Sequence, residues 1–204
     1  LDIALVKKME CPILYRQDLN LSYLINLKCA SSSIRNLMML NGGVRIFDNE
    51  KICPIVKQSY NFTFVRNPWA RILSLYFWQL KSAFDLRTHL SEEFKVSCDD
   101  ISLNYFDAFV RLIYQRGDEG CNRHYVSQCY VIDHFPGMID FIGRVENMNE
   151  DWGKLQKKNK NLPIITKSKE SQHYRYQHYY NDTTRQLVAE RYIDDIMRFD
   201  YSFD

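Results

Sequence analysis

The stretch Phe62-Thr-Phe-Val-Arg66-Asn67-Pro68-Trp69 constrains the fold of this 204-residue chain more than any other. Its first five residues have the length and apolar character of a short buried strand. Asn67 is suited to cap a helix, and Pro68 to its first turn. Trp69, Ile72, Leu73, Tyr76, Phe77 and Leu80 then recur at helical spacing. A strand must therefore feed directly into an amphipathic helix. The same grammar appears earlier: a strand at Tyr23-Leu-Ile-Asn-Leu27, a loop of small residues at Lys28-Cys-Ala-Ser-Ser-Ser33, and a helix with Ile34, Leu37 and Met38 inward, stopped by Asn41-Gly-Gly43. A third strand is expected at Asp140–Arg144. Helices are expected around Tyr105–Ile113, over Asn149–Lys158, and after Asn181-Asp-Thr-Thr, where Leu187, Val188, Tyr192 and Ile196 mark one face. Strands alternating with helices predict a three-layer α/β fold with a central, mostly parallel sheet flanked by helices. The length suits one domain over residues 1–204.

Both strand-to-helix junctions have the chemistry of anion sites. A strand that ends in small residues and opens into a helix turns backbone N–H groups and the positive end of the helix dipole toward a phosphate. Lys28 adds a full charge, and Ser31, Ser32 and Ser33 add hydroxyls. The lysine precedes the loop, unlike G-x-x-x-x-G-K-[ST], which disfavours an ordinary ATP or GTP loop. A serine-rich helix start with a solvated lysine is the plainer reading. At the second junction, Arg66 ends the strand and Ser74 lies eight residues on. At about 100° per residue, Ser74 falls off the apolar stripe set by Trp69. An arginine fork with a hydroxyl suits a terminal phosphate. A core ion pair with a bystander serine is the alternative.

Composition narrows the partners. Net charge is only +2, so nucleic acid is not expected, and anion binding has to be local. The basic residues cluster at Lys154–Lys160 and Lys167–Arg175, either a solvated face or a surface for an acidic glycan. No run approaches the roughly 20 apolar residues of a membrane span. Six cysteines with no Cys-x-x-Cys pair argue against structural zinc, and no metal is expected. Asn20, Asn61 and Asn181 each begin an N-x-[ST] triplet.

Taken together, the two junctions resemble sulfotransferases. Lys28-Cys-Ala-Ser-Ser-Ser-Ile34 resembles the family's 5′-phosphosulfate loop, with Leu27 where the family often has Pro. Phe64-Val-Arg66-Asn-Pro68-Trp-Ala-Arg-Ile-Leu-Ser74-Leu-Tyr76 closely resembles its 3′-phosphate motif. Asn122-Arg-His124-Tyr-Val-Ser-Gln128, Phe141–Met148, Leu162–Ser168 and Tyr192–Phe203 follow the order of Golgi carbohydrate sulfotransferases of the chondroitin and dermatan type, with heparan sulfate 2-O-sulfotransferase a more distant relative. The resemblance implies a P-loop-like fold. It also implies the donor 3′-phosphoadenosine 5′-phosphosulfate, the product adenosine 3′,5′-bisphosphate and a carbohydrate acceptor. Lys28, Cys29, Ala30, Ser31, Ser32 and Ser33 would hold the 5′-phosphosulfate, Arg66 and Ser74 the 3′-phosphate, and Lys167, Ser168 and Lys169 would close over the nucleotide.

Sulfuryl transfer, like phosphoryl transfer, needs an in-line arrangement, a neutralised leaving group and a base. Lys28 is expected to neutralise the leaving group, and His124 is the first candidate base; Asp48 and Glu50 are alternatives. Cys121 and Cys129 flank His124 and would form a disulfide in an oxidising compartment, or stay as two thiols. A Golgi lumen is expected for a eukaryotic source, with any anchor outside this sequence, and cytoplasm for a bacterial or viral one. A P-loop nucleotide kinase and a glycan-binding module without turnover are the rival functions.

Overall fold

Continuous apolar runs in the sequence become the centre of a sheet, as expected of strands covered on both faces. The structure, a computed structural model, describes residues 13–46, 49–81, 103–119, 121–165 and 175–204. Five strands lie in the order β3-β1-β2-β4-β5: β1 (Ile13–Arg16), β2 (Leu21–Leu24), β3 (Val44–Ile46), β4 (Tyr60–Val65) and β5 (Phe141–Arg144). β4 is parallel to both β2 and β5, whereas β1 is antiparallel to β2 and β3. The sheet is thus mixed but mostly parallel in strand direction.

The chain divides into two compact units, Leu1–Arg66 with Gln128–Ser171, and Asn67–Ser127 with Gln172–Asp204. The first contains the sheet with α1 (Ser31–Met39), α2 (Asn49–Gln58), α5 (Gln128–Asp133) and α6 (Met148–Lys158). The second contains α3 (Pro68–Lys81), α4 (Leu103–Tyr114), α7 (Asp182–Arg191) and α8 (Ile193–Phe199).

In the first unit the period-2 alternation of the strands sorts two faces. Leu14, Leu21, Tyr23, Phe62 and Phe64 pack against Ile34 and Met38 of α1 and against Met148, Trp152 and Leu155 of α6. The opposite face is polar near the strand starts. There Ser22 Oγ lies 2.6 Å from Ser59 Oγ, and Asn61 Nδ2 donates to the Val56 carbonyl of α2 at 2.7 Å. Helix, sheet and helix make the three layers. Gly143 sits opposite Phe64, and a Cβ there would lie 2.5 Å from the ring's Cε1, so this register requires glycine.

The second unit has its own core. Trp69, Ile72, Leu73, Leu75 and Tyr76 of α3 pack on Tyr105, Phe106, Phe109 and Ile113 of α4, with Val188 and Tyr192 closing the cluster. Asn67 Oδ1 accepts from the Trp69 and Ala70 amides at 3.1 and 3.4 Å, which is the cap the sequence predicts. Asn181 likewise caps α7, in a reciprocal pair with Thr184.

The expected elements are present, with five differences, one of them the short helix α5, which was not expected. The first strand is shifted toward the N-terminus, ending at Leu24 rather than Leu27, because Leu27 and Lys28 are drawn into the turn. The last expected helix is two, broken at Tyr192, whose buried hydroxyl donates to the Tyr125 carbonyl at 2.7 Å. The antiparallel strands β1 and β3 were not expected; β1 folds back through a tight turn with Asn20 left-handed at φ 47°. α2 was also not expected, and Pro54 within it interrupts the helical signal.

Candidate active site

The loop after β2 is built to present backbone N–H groups. Lys28 and Ala30 both adopt left-handed backbone, at φ 68° and 56°. For residues with a Cβ this costs about 1–2 kcal/mol each, and such strain collects at ligand clamps. The Cys29 amide donates back to the Asn26 carbonyl at 3.4 Å, closing the turn. α1 then starts with Ala30 as N-cap and no side-chain cap, and its first main-chain bond runs from the Ile34 amide to the Ala30 carbonyl at 3.1 Å. The Ser31, Ser32 and Ser33 amides precede that bond, so the helix itself gives them no acceptor. Successive N–H groups around left-handed residues form a concave anion nest.

Arg66, just past β4, belongs to the same place. Its Nη1 donates to the Lys28 carbonyl at 3.3 Å. The two cationic residues singled out in the sequence therefore meet at the ends of adjacent parallel strands. Gln128, the first residue of α5 and wholly buried, joins them. Its Oε1 accepts from the Arg66 amide at 2.8 Å and from the Cys29 thiol at 3.1 Å, and its Nε2 donates to the Arg66 carbonyl at 2.9 Å. No role for Gln128 is expected from the sequence, where it closes the run Asn122-Arg-His124-Tyr-Val-Ser-Gln128. Beneath the turn, Asn26 is fully buried with both side-chain amide atoms unpartnered among the described residues.

In the second unit, Ala70, Ser74 and Trp78 form the open stripe of α3, one turn apart, the first two between buried neighbours. Ser74 is half-buried, off the apolar face as its spacing predicts. Trp78 is 44% exposed and stacks on the His124 ring, with centroids 4.7 Å apart and planes 17° off parallel. Asn122 Oδ1 accepts from the His124 amide at 3.1 Å and lies 2.8 Å from Nδ1. Because that oxygen already accepts from an N–H, Nδ1 carries the proton in the neutral ring and Nε2 is the basic nitrogen. The loop is anchored by Asp118, which takes the Ser127 amide and hydroxyl at 2.8 and 2.6 Å and Arg191 Nη2 at 2.6 Å.

Other expected features fare differently. Cys121 and Cys129 are both thiols, so the disulfide is not formed; Cys129 is a buried residue of α5. Lys154 is held by Glu150 at 3.0 Å and Asp151 at 2.8 Å, so part of that basic run is neutralised in place. Asn61, in one glycosylation triplet, is buried and hydrogen-bonded within the sheet layer. Lys167, Ser168, Lys169 and Asp48 lie outside the described residues, as does the side chain of Glu50.

The sulfotransferase family profile matches residues 12–202. The chain belongs to the sulfotransferase family. Searches of curated proteins and of solved structures each found no significant match. As a sulfotransferase, the protein uses 3′-phosphoadenosine 5′-phosphosulfate as donor for sulfuryl transfer. The loop suits such an anion: it offers an uncapped helix start, two left-handed residues, a lysine and an arginine. Among the described residues, no group of three or more His, Cys, Asp or Glu side chains is arranged to hold a metal ion. No helix among them is long and apolar enough to cross a membrane.

Proposed function

We propose that this sulfotransferase transfers the sulfuryl group to a hydroxyl of a carbohydrate acceptor by in-line displacement. The observation that carries the donor half of this reading is the 3.3 Å bond from the Arg66 guanidinium to the Lys28 carbonyl. It brings the residues assigned by motif to opposite ends of one nucleotide onto neighbouring strand ends. When bound, the donor supplies the activated sulfuryl group. Lys28 offsets the charge that develops on the departing phosphate, and the Ala30–Ser33 backbone adds aligned N–H dipoles. Arg66 forks onto the 3′-phosphate, and Ser74, assigned from the motif spacing, adds a hydroxyl. Lys167, Ser168 and Lys169 are proposed, from the resemblance alone, to close over the nucleotide.

His124 is proposed as the base, taking the acceptor's proton on Nε2 while Asn122 keeps the other proton on Nδ1. Two features support a sugar acceptor: the likeness to carbohydrate sulfotransferases, and the exposed Trp78 indole beside His124, a surface on which a sugar ring can stack. Labelled-sulfate transfer across desulfated chondroitin, dermatan and heparan tests the acceptor class. Label on at least one polysaccharide is expected; a chain that binds the donor yet labels none of them contradicts it.

His124→Ala is expected to lower kcat by about 10²-fold or more with little change in donor KM. A loss of less than about threefold, against that ~10²-fold expectation, removes His124 from the role of base.

A further inference from the structure

Gln128 does for Arg66 what a neighbouring strand does for β4. Pairing with β5 ends at Val65↔Arg144, and pairing with β2 ends at Tyr23↔Phe62. At the next residue, Arg66, the carboxamide of Gln128 supplies both an acceptor for the N–H and a donor for the C=O. A planar primary amide can do this because it carries one of each at a fixed spacing. The same oxygen also receives the Cys29 thiol from the Lys28 turn. One wholly buried side chain, remote in sequence from both, thus grips the main chain under the arginine and the loop under the lysine.

From this geometry we infer that Gln128 is a positioning residue that sets the separation between the two anion subsites. The inference rests on the reading that the Lys28 loop and Arg66 hold the two phosphorylated ends of one nucleotide. A residue that fixes a separation affects a ligand spanning both subsites more than a ligand held at one.

The test is calorimetric, on the full chain, with adenosine 3′,5′-bisphosphate and adenosine 5′-phosphate as probes. The wild type is expected to prefer the bisphosphate by about 10²-fold, the value of two charge-assisted hydrogen bonds. Absence of that preference overturns the two-subsite reading itself, whatever Gln128 does. Given the preference, Gln128→Ala is expected to weaken the bisphosphate about tenfold and the monophosphate less than about threefold, the loss of one such bond to the spanning ligand alone. Equal losses for both ligands, or none for either, overturn the positioning role. Should Gln128→Ala not fold, Cys29→Ala removes the loop-side bond to Gln128 and leaves both Gln128 bonds to the Arg66 main chain in place. It is expected to narrow the preference about threefold, as for one weaker hydrogen bond; an unchanged preference overturns the proposal.

Discussion

Replacing Lys28 with Ala is expected to slow sulfuryl transfer by about 10²- to 10³-fold while leaving the protein folded, the usual cost of deleting one preorganised charge-stabilising group. Lys28 sits in a turn whose shape is set by the Cys29 amide bonded to the Asn26 carbonyl, by left-handed backbone at positions 28 and 30, and by the carbonyl of residue 28 receiving Arg66. None of these uses the lysine side chain, and alanine carries the same left-handed penalty as lysine. What the substitution removes is the ammonium group. The loss should therefore appear in the chemical step, measured by single-turnover transfer from labelled donor at saturation. A decrease below about fivefold would mean that the backbone nest alone manages the leaving group, against the range expected for such a charge.

Trp152→Ala is expected to cost about 3–5 kcal/mol of stability, a large share of the about 5–15 kcal/mol that holds a typical domain together. The indole is 1% exposed and lies edge-on to Phe62, with both Phe62 and Phe64 rings at 6.1 Å. Its Nε1 donates to the Pro163 carbonyl at 2.9 Å, so truncation removes that bond as well as opening a cavity. The same cluster contains Cys29 and Ile34, which seat the Lys28 loop on the sheet. Urea unfolding should show a much lower midpoint at an unchanged slope. A destabilisation under about 1 kcal/mol would contradict a core built around this residue, since large buried aromatics rarely give so little.

How much of this could be read from the residues depended on whether a signal was local. The Phe62–Ser74 unit was legible because strand, cap and helix follow one another, and each part carries its own chemistry: Asn67 caps, Pro68 starts, and Ser74 falls off the apolar stripe. The small-residue loop was legible for the same reason. β1 was not, because its four residues become a strand only by pairing with β2. α2 was hidden by Pro54. Gln128 was the largest omission at the site: a glutamine beginning a short helix looks ordinary until its amide is found against Arg66, which adjacency in sequence cannot reveal. The cysteines show the converse. Cys121 and Cys129 flank His124 in sequence, which left a disulfide and two thiols both open; they are thiols, and burial pushes the Cys121 thiol pKa up.

In the proposed function, Lys28 and Arg66 grip the two phosphorylated ends of a single nucleotide. Thermal unfolding of the full chain tests it most directly, comparing adenosine 3′,5′-bisphosphate with ATP and Mg²⁺ on the wild type and on Arg66→Ala. A ligand at 100 times its Kd adds about 2.7 kcal/mol to the folded state. The bisphosphate should therefore raise Tm by several degrees in the wild type, by far less in Arg66→Ala, and ATP with Mg²⁺ should do little to either. Stabilisation by ATP with Mg²⁺ but not by the bisphosphate, or a bisphosphate shift untouched by loss of Arg66, would contradict the account.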